Sequence, residues 1–208
     1  RIPWLPILRS PSLWMISIAS FGTNVGWVFL VSLLDRYLYS VHRVPYVERG
    51  FMQSLPLFVG WIGMLLGGWW TDRLTRRRGV RIGRALPIAF SRFIAMAAFL
   101  LMLLHPSPWV CIALLSAVAF GTDLGIPAFW SICQDIGGRS VAAVLGWGNM
   151  WGNLGAFVSP MLLGWVSRRW DWDAVFLVCA AAFLIAGLAA AFIDATKPVV
   201  PEATTQVG

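Results

Sequence analysis

With 208 residues, 59% of them hydrophobic and only 12% charged, the chain cannot cover the surface of a water-soluble fold, because ordinary domains carry roughly a quarter charged residues. Its net charge of +7 would suggest nucleic acid in a soluble protein, but here the arginines cluster in connectors between apolar runs, where they orient a membrane protein. A soluble enzyme and a nucleic-acid binder are therefore both excluded, and an all-α protein embedded in a lipid bilayer is expected.

A bilayer core needs about 20 apolar residues per helix, and open strand edges would leave backbone groups unpaired there. Six segments meet that requirement in chain order: Leu13–Leu34, Phe51–Trp70, Ala85–Leu104, Trp109–Ile132, Val141–Val166 and Ala174–Ile193. Turn-rich or charged connectors such as His105-Pro-Ser-Pro and Asp135-Ile-Gly-Gly-Arg separate them. Arg1, Arg9, the six arginines between Arg73 and Arg84, Arg139 and Lys197 fall on one side, ten cations against the five of Arg36, Arg43, Arg49, Arg168 and Arg169. The richer side is the cytoplasmic one, which places both termini inside. The chain opens Arg-Ile-Pro-Trp rather than with methionine, and is read as a fragment or a processed product.

The first span contains Phe21-Gly-Thr-Asn-Val-Gly-Trp27 and the fourth Phe120-Gly-Thr-Asp-Leu-Gly-Ile126, with five of seven positions identical or Asn/Asp. The second and fifth share only Met64-Leu-Leu-Gly67 and Met161-Leu-Leu-Gly164. Corresponding members are three spans apart, an odd offset, so two three-helix repeats, 13–104 and 109–194, are expected to cross the membrane in opposite senses. Matching glycine- or proline-interrupted helices in such inverted repeats point to a transporter's binding site, and Pro127 adds to the interruption in the fourth span. At about 1.5 Å per residue, Asn24 lies roughly 16 Å and Asp123 roughly 21 Å into their spans, near mid-membrane. A carboxylate at that depth costs at least about 2.5–3.5 kcal/mol and needs a partner, a proton or water. Asp123 is thus a coupling candidate, or else a protonated packing residue.

The three cysteines, Cys111, Cys133 and Cys179, lack CxxC spacing, and His42 and His105 stand apart. No disulfide, metal site or cofactor is expected. An intramembrane enzyme is not expected either: Gly121-Thr-Asp123 lacks the second glycine of an aspartyl membrane protease motif, and no Tyr-Asp partner occurs in another span. Arg92, about 10 Å into the third span, is expected to snorkel to the headgroups.

The connector Gly68-Trp-Trp-Thr-Asp72-Arg73-Leu-Thr-Arg76-Arg77-Arg78 resembles the loop signature of the major facilitator superfamily, with Thr75 in place of the usual second glycine. Ser54-Leu-Pro, Phe129-Trp130, Asp135-Ile-Gly-Gly and Gly148-Asn149-Met-Trp-Gly152-Asn153-Leu-Gly155 resemble its anion:cation symporter group, the hexuronate, galactonate and sialic-acid carriers. The resemblance implies the six-helix C-domain of a twelve-helix carrier: residues 1–12 end a central cytoplasmic loop, 13–194 form the domain, 195–208 form a cytoplasmic tail, and an N-terminal half is missing. It implies proton-coupled symport of an organic anion such as a sugar acid across the cell (inner) membrane. Asp72 matches the family's loop carboxylate, a conformational latch, and Arg76 is its expected i, i+4 partner. Trp130 and Asn149 match substrate-contacting positions, and Asn24 and Asn153 complete the expected substrate set. Each has a plainer reading, since Trp130 could anchor the interface and the asparagines could bond between helices beside Gly148-xxx-Gly152. The alternative to a half-carrier is a six-helix channel or a self-dimerising carrier complete as it stands.

Overall fold

The computed structural model describes residues 3–199; Arg1 and residues 200–208 of the expected tail lie outside the described residues. All regular elements are helical, with no strand among the described residues. A short helix α1 (Trp4–Arg9) leads into α2 (Pro11–Val28), which starts sharply because the Ser10 hydroxyl accepts from Leu13 N–H at 3.4 Å and Pro11 takes the first helical position, where its missing N–H costs nothing. A π-helical turn, Phe29–Leu33, joins α2 to α3 (Leu34–His42). Then come α4 (Tyr46–Leu101), α5 (Pro108–Leu124), α6 (Ile126–Gly137), α7 (Val141–Arg169) and α8 (Trp172–Ala191). The Asp171 carboxylate caps α8 by accepting from Ala174 N–H at 2.8 Å.

Among the described residues, four helical runs are long and apolar enough to cross a membrane: Pro11–His42, Tyr46–Leu104, Pro108–Arg169 and Trp172–Ala191. The second and third hold 59 and 62 residues, whereas a hydrocarbon core of about 30 Å takes only about 20 residues. Each contains a reversal or break at a glycine with positive φ. Within α4 the break is Gly79, at φ 80° and ψ 171°, a conformation open to glycine and costly for other residues. Asp72 and Arg84 would stand roughly 18 Å apart along a straight helix; their side chains instead meet at 3.7 Å. The chain therefore doubles back into two legs, 46–78 and 80–101. In the third run Gly138, at φ 47°, separates α6 from α7.

Glycines govern the packing between legs. On α2, Phe21 lies against Gly155 of α7, where an added Cβ would come 2.6 Å from the Phe21 carbonyl oxygen. On α5, Phe120 lies against Gly63 in the first leg of α4, where the corresponding distance is 2.5 Å. Asn24 faces Gly152 while Asp123 faces Gly60. Gly22 and Gly26 rest on Ala182 and Phe183 of α8, as Gly121 and Gly125 rest on Ser91 and Arg92 of the second α4 leg. The two sets keep one register, so the glycine counterpart of Gly63 is Gly155. The Met64–Gly67 and Met161–Gly164 match does not mark equivalent positions: Gly67 is pressed on the Leu124 backbone, while the nearest atom to a Cβ at Gly164 is in the Arg168 side chain, 3.9 Å away.

Two apolar clusters result. One gathers Phe29, Tyr37, Phe99, Phe176 and Phe183; the other Leu13, Ile16, Ile132, Ile136 and Val144. His42 is not isolated, since its Nε2 lies 3.2 Å from Tyr37 Oη and 3.5 Å from Cys111 Sγ. Residues 195–199, within the expected tail, pack back: Val199 N–H donates to Ile136 O at 2.8 Å and both Ala195 and Val199 are buried. The Asp194 carboxyl, just before them, is held below the usual carboxylate range by hydrogen bonds from the Thr196 hydroxyl and amide. Large side chains such as Phe58, Trp61, Leu65 and Trp69 are exposed on the outside, a surface suited to hydrocarbon.

Candidate functional site

A cavity of about 340 Å³ opens between α2, the second leg of α4, α5–α6 and α7. Asn24, Asp123, Trp130 and Asn149 all line it, together with Trp27 and Arg92. Its size falls in the range of small-molecule sites. The Asn24 Nδ2 donates to Ser20 O at 3.0 Å, which fixes the amide on its helix. Trp130 is 59% exposed and forms part of the cavity's rim. Asn153, placed in the same set by its spacing, does not reach the cavity. The Gly152–Asn24 contact closes that wall, and exposed Asn153 donates from Nδ2 to Asn149 O at 2.9 Å along its own helix.

The helix breaks where the repeat motif ends. Gly125 N–H bonds back to Thr122 O at 3.3 Å, three residues away rather than four, and Pro127 has no N–H to offer the carbonyl of Asp123. Carbonyls freed at such a break survive in a membrane only where another donor reaches them. That donor is Arg92, whose Nη1 donates to Thr122 O at 3.0 Å, Gly121 O at 3.4 Å and Ser91 Oγ at 3.2 Å. Only 6% of Arg92 is exposed. The expectation that it snorkels to the headgroups is overturned, because the carbonyl end of α5 attracts a cation more strongly than the distant interface. The signal was present in Gly125-Ile-Pro127, which announces unpaired carbonyls, but identifying the donor required the packing of Gly125 on the second α4 leg.

The expected Asp72–Arg76 pair is replaced. Asp72 meets Arg84 at 3.7 Å, and Arg84 Nε donates to Asp135 Oδ2 at 2.9 Å on α6. Exposed Arg76 joins no ion pair among the described residues. Reversal at Gly79 carries Arg84 back beside Asp72, where it bridges two carboxylates from different elements.

Residues 1–160 and 81–207 match the family profile of the Major Facilitator Superfamily. The chloroplastic ascorbate transporter of Arabidopsis thaliana is 32% identical over 189 residues, which cover 90% of this chain and 35% of that protein. A protein of Escherichia coli K12 named "Probable galactarate/D-glucarate transporter" is 26% identical over 153 residues, 73% of this chain and 34% of that protein. The chain thus spans about a third of the length of these relatives. The solved structure of a bacterial homologue of the human drug peptide transporters PepT1 and PepT2 matches with a TM-score of 0.72 and 16% identity, over 89% of this chain and 42% of that one. At that identity the likeness shows the fold alone.

Proposed function

This chain belongs to the major facilitator superfamily, a family of transporters rather than enzymes, and we propose that it is the six-span carboxy-terminal half of a proton-coupled carrier for a small organic anion such as a sugar acid. It is a multi-pass membrane protein. Dividing the two longest helical runs at Gly79 and Gly138 yields six crossings, and the shared register of glycine contacts supports two inverted triplets. The convergence of Asn24, Asn149 and Asp123 on one cavity at the interrupted helices carries the functional reading. The Asn24 and Asn149 amides are suited to solute hydroxyls and carboxylates, the Trp130 ring to a sugar face, and Asp123 to a coupling proton. The names of the relatives support an organic anion, and their length supports a missing half of similar build. The cation-rich connectors support a reading with both termini on the cytoplasmic side of the cell membrane. Asp72, Arg84 and Asp135 form the latch holding one conformational state.

The test is uptake into proteoliposomes. The complete protein should accumulate galactarate when an inward proton gradient is imposed, and residues 1–208 alone should not. Arg84→Ala should slow that uptake several-fold while leaving galactarate binding intact, since it releases both carboxylates far from the solute. Saturable uptake by residues 1–208 alone would instead establish the channel or self-dimerising alternative, and accumulation driven by sodium but not protons would remove the proton from the mechanism.

A further inference from the structure

Arg92 offers more than the helix break requires. Its recorded hydrogen bonds all leave from Nη1, although a guanidinium carries five N–H donors. Among the described residues the Arg92 Nε is buried without a partner, as is the neighbouring Thr122 hydroxyl. Both residues line the cavity. A buried cation with idle donors is costly unless something pairs with it. Nor does the packing demand a cation here: in the other triplet Phe183 occupies the place against Gly26 that Arg92 occupies against Gly125. Among the described residues, Arg92 and Asp123 are the only charged ones lining the cavity; α2, α6, α7 and the second α4 leg present no other titratable group to it. The two make no direct ion pair within 4.0 Å.

We infer that Arg92 is the residue of this half that holds the solute's carboxylate, with Asp123 as the resident negative charge that the incoming anion must outweigh. The inference rests on the carrier reading and extends it to the third span, whose arginine was expected to snorkel to the headgroups. Nη1 stays on the Gly121 and Thr122 carbonyls and fixes the guanidinium, while its remaining donors form a planar fork suited to a carboxylate, with the unpartnered Thr122 hydroxyl beside them. Protonation of Asp123 removes the competing charge, so anion and proton favour one another's binding in the same cavity.

Galactarate and its neutral counterpart galactitol are the probes, titrated calorimetrically against the complete carrier in detergent at mildly alkaline pH. The unmodified carrier should bind galactarate and not galactitol. Arg92→Gln should weaken galactarate binding roughly tenfold to hundredfold, the scale of losing a charge-assisted hydrogen bond. Asp123→Asn should act in the opposite direction and tighten it, which a purely architectural pair would not do. Unchanged affinity in Arg92→Gln, or weaker binding in Asp123→Asn, overturns the inference. Should Arg92→Gln fail to fold, Arg92→Lys decides, because it keeps the charge and loses the fork: several-fold weaker binding supports the assignment and full-strength binding overturns it. If the unmodified carrier takes up galactarate while Arg92→Gln binds it normally, the inference alone fails. If the folded, unmodified carrier neither binds nor transports galactarate, the sugar-acid reading fails with it.

Discussion

Asp123→Asn in the complete carrier should retain exchange of solute across the bilayer and lose uphill, pH-driven uptake. The amide keeps the shape and hydrogen-bonding capacity of the carboxyl group and removes its titration. One pH unit of gradient supplies about 1.4 kcal/mol, a roughly tenfold accumulation at one proton per solute, and the variant should show none. Asp123 stands one residue beyond Thr122, whose carbonyl Arg92 holds, and two before Gly125, where the helix breaks. It also lines the cavity that Asn24 and Asn149 enter. A residue there that serves packing only would make the variant nearly silent in both assays. A solute ligand without a proton role would show weakened binding with coupling retained. Uphill uptake at the unmodified level would remove Asp123 from coupling.

The second large effect is on stability. Gly63→Ala and Gly155→Ala each place a methyl group within 2.5 Å or 2.6 Å of a backbone carbonyl oxygen, that of Phe120 or Phe21. Neither helix can yield without separating from its neighbour, so each substitution should destabilise by about 1–3 kcal/mol. The two sites lie in different triplets and should add. Gly146 is the control: a Cβ there meets nothing within 4 Å, and in a helix interior Gly→Ala should stabilise by roughly 0.5–1 kcal/mol. Thermal melting of the purified carrier in detergent measures all three. Gly63→Ala melting with the unmodified protein would mean that the legs do not pack through these glycines.

Much of this arrangement was legible in the sequence because membrane helices obey simple rules. Apolar runs located the long apolar helices, and the recurrence of Phe-Gly-Thr-Asn/Asp-x-Gly found two segments that the fold sets in equivalent contacts. The repeat led to Asn24 and Asp123, and the family resemblance to Trp130 and Asn149; the structure brings all four to one cavity. What was not legible depends on contacts between distant segments. Arg92 at its depth in an apolar run has two outlets, the headgroups or an unpaired carbonyl, and only the packing of Gly125 against it selects the second. Arg76 has the right helical spacing from Asp72, yet the reversal at Gly79 delivers Arg84 instead. Asn153 shares a helical stripe with Asn149, but the cavity wall ends at Gly152. The Met-Leu-Leu-Gly match, by contrast, carried no structural equivalence, as short matches of common apolar residues often do not.

The proposed crossing of the membrane as two triplets of opposite sense around one cavity is tested most directly by sided cysteine labelling. With Cys111, Cys133 and Cys179, all buried, replaced by serine or alanine, single cysteines at positions 78 and 107 flank the segment that runs through the second leg of α4. In intact vesicles a membrane-impermeant maleimide should reach the two from opposite faces, position 78 from the cytoplasmic face. Labelling of both from the same face would contradict the arrangement.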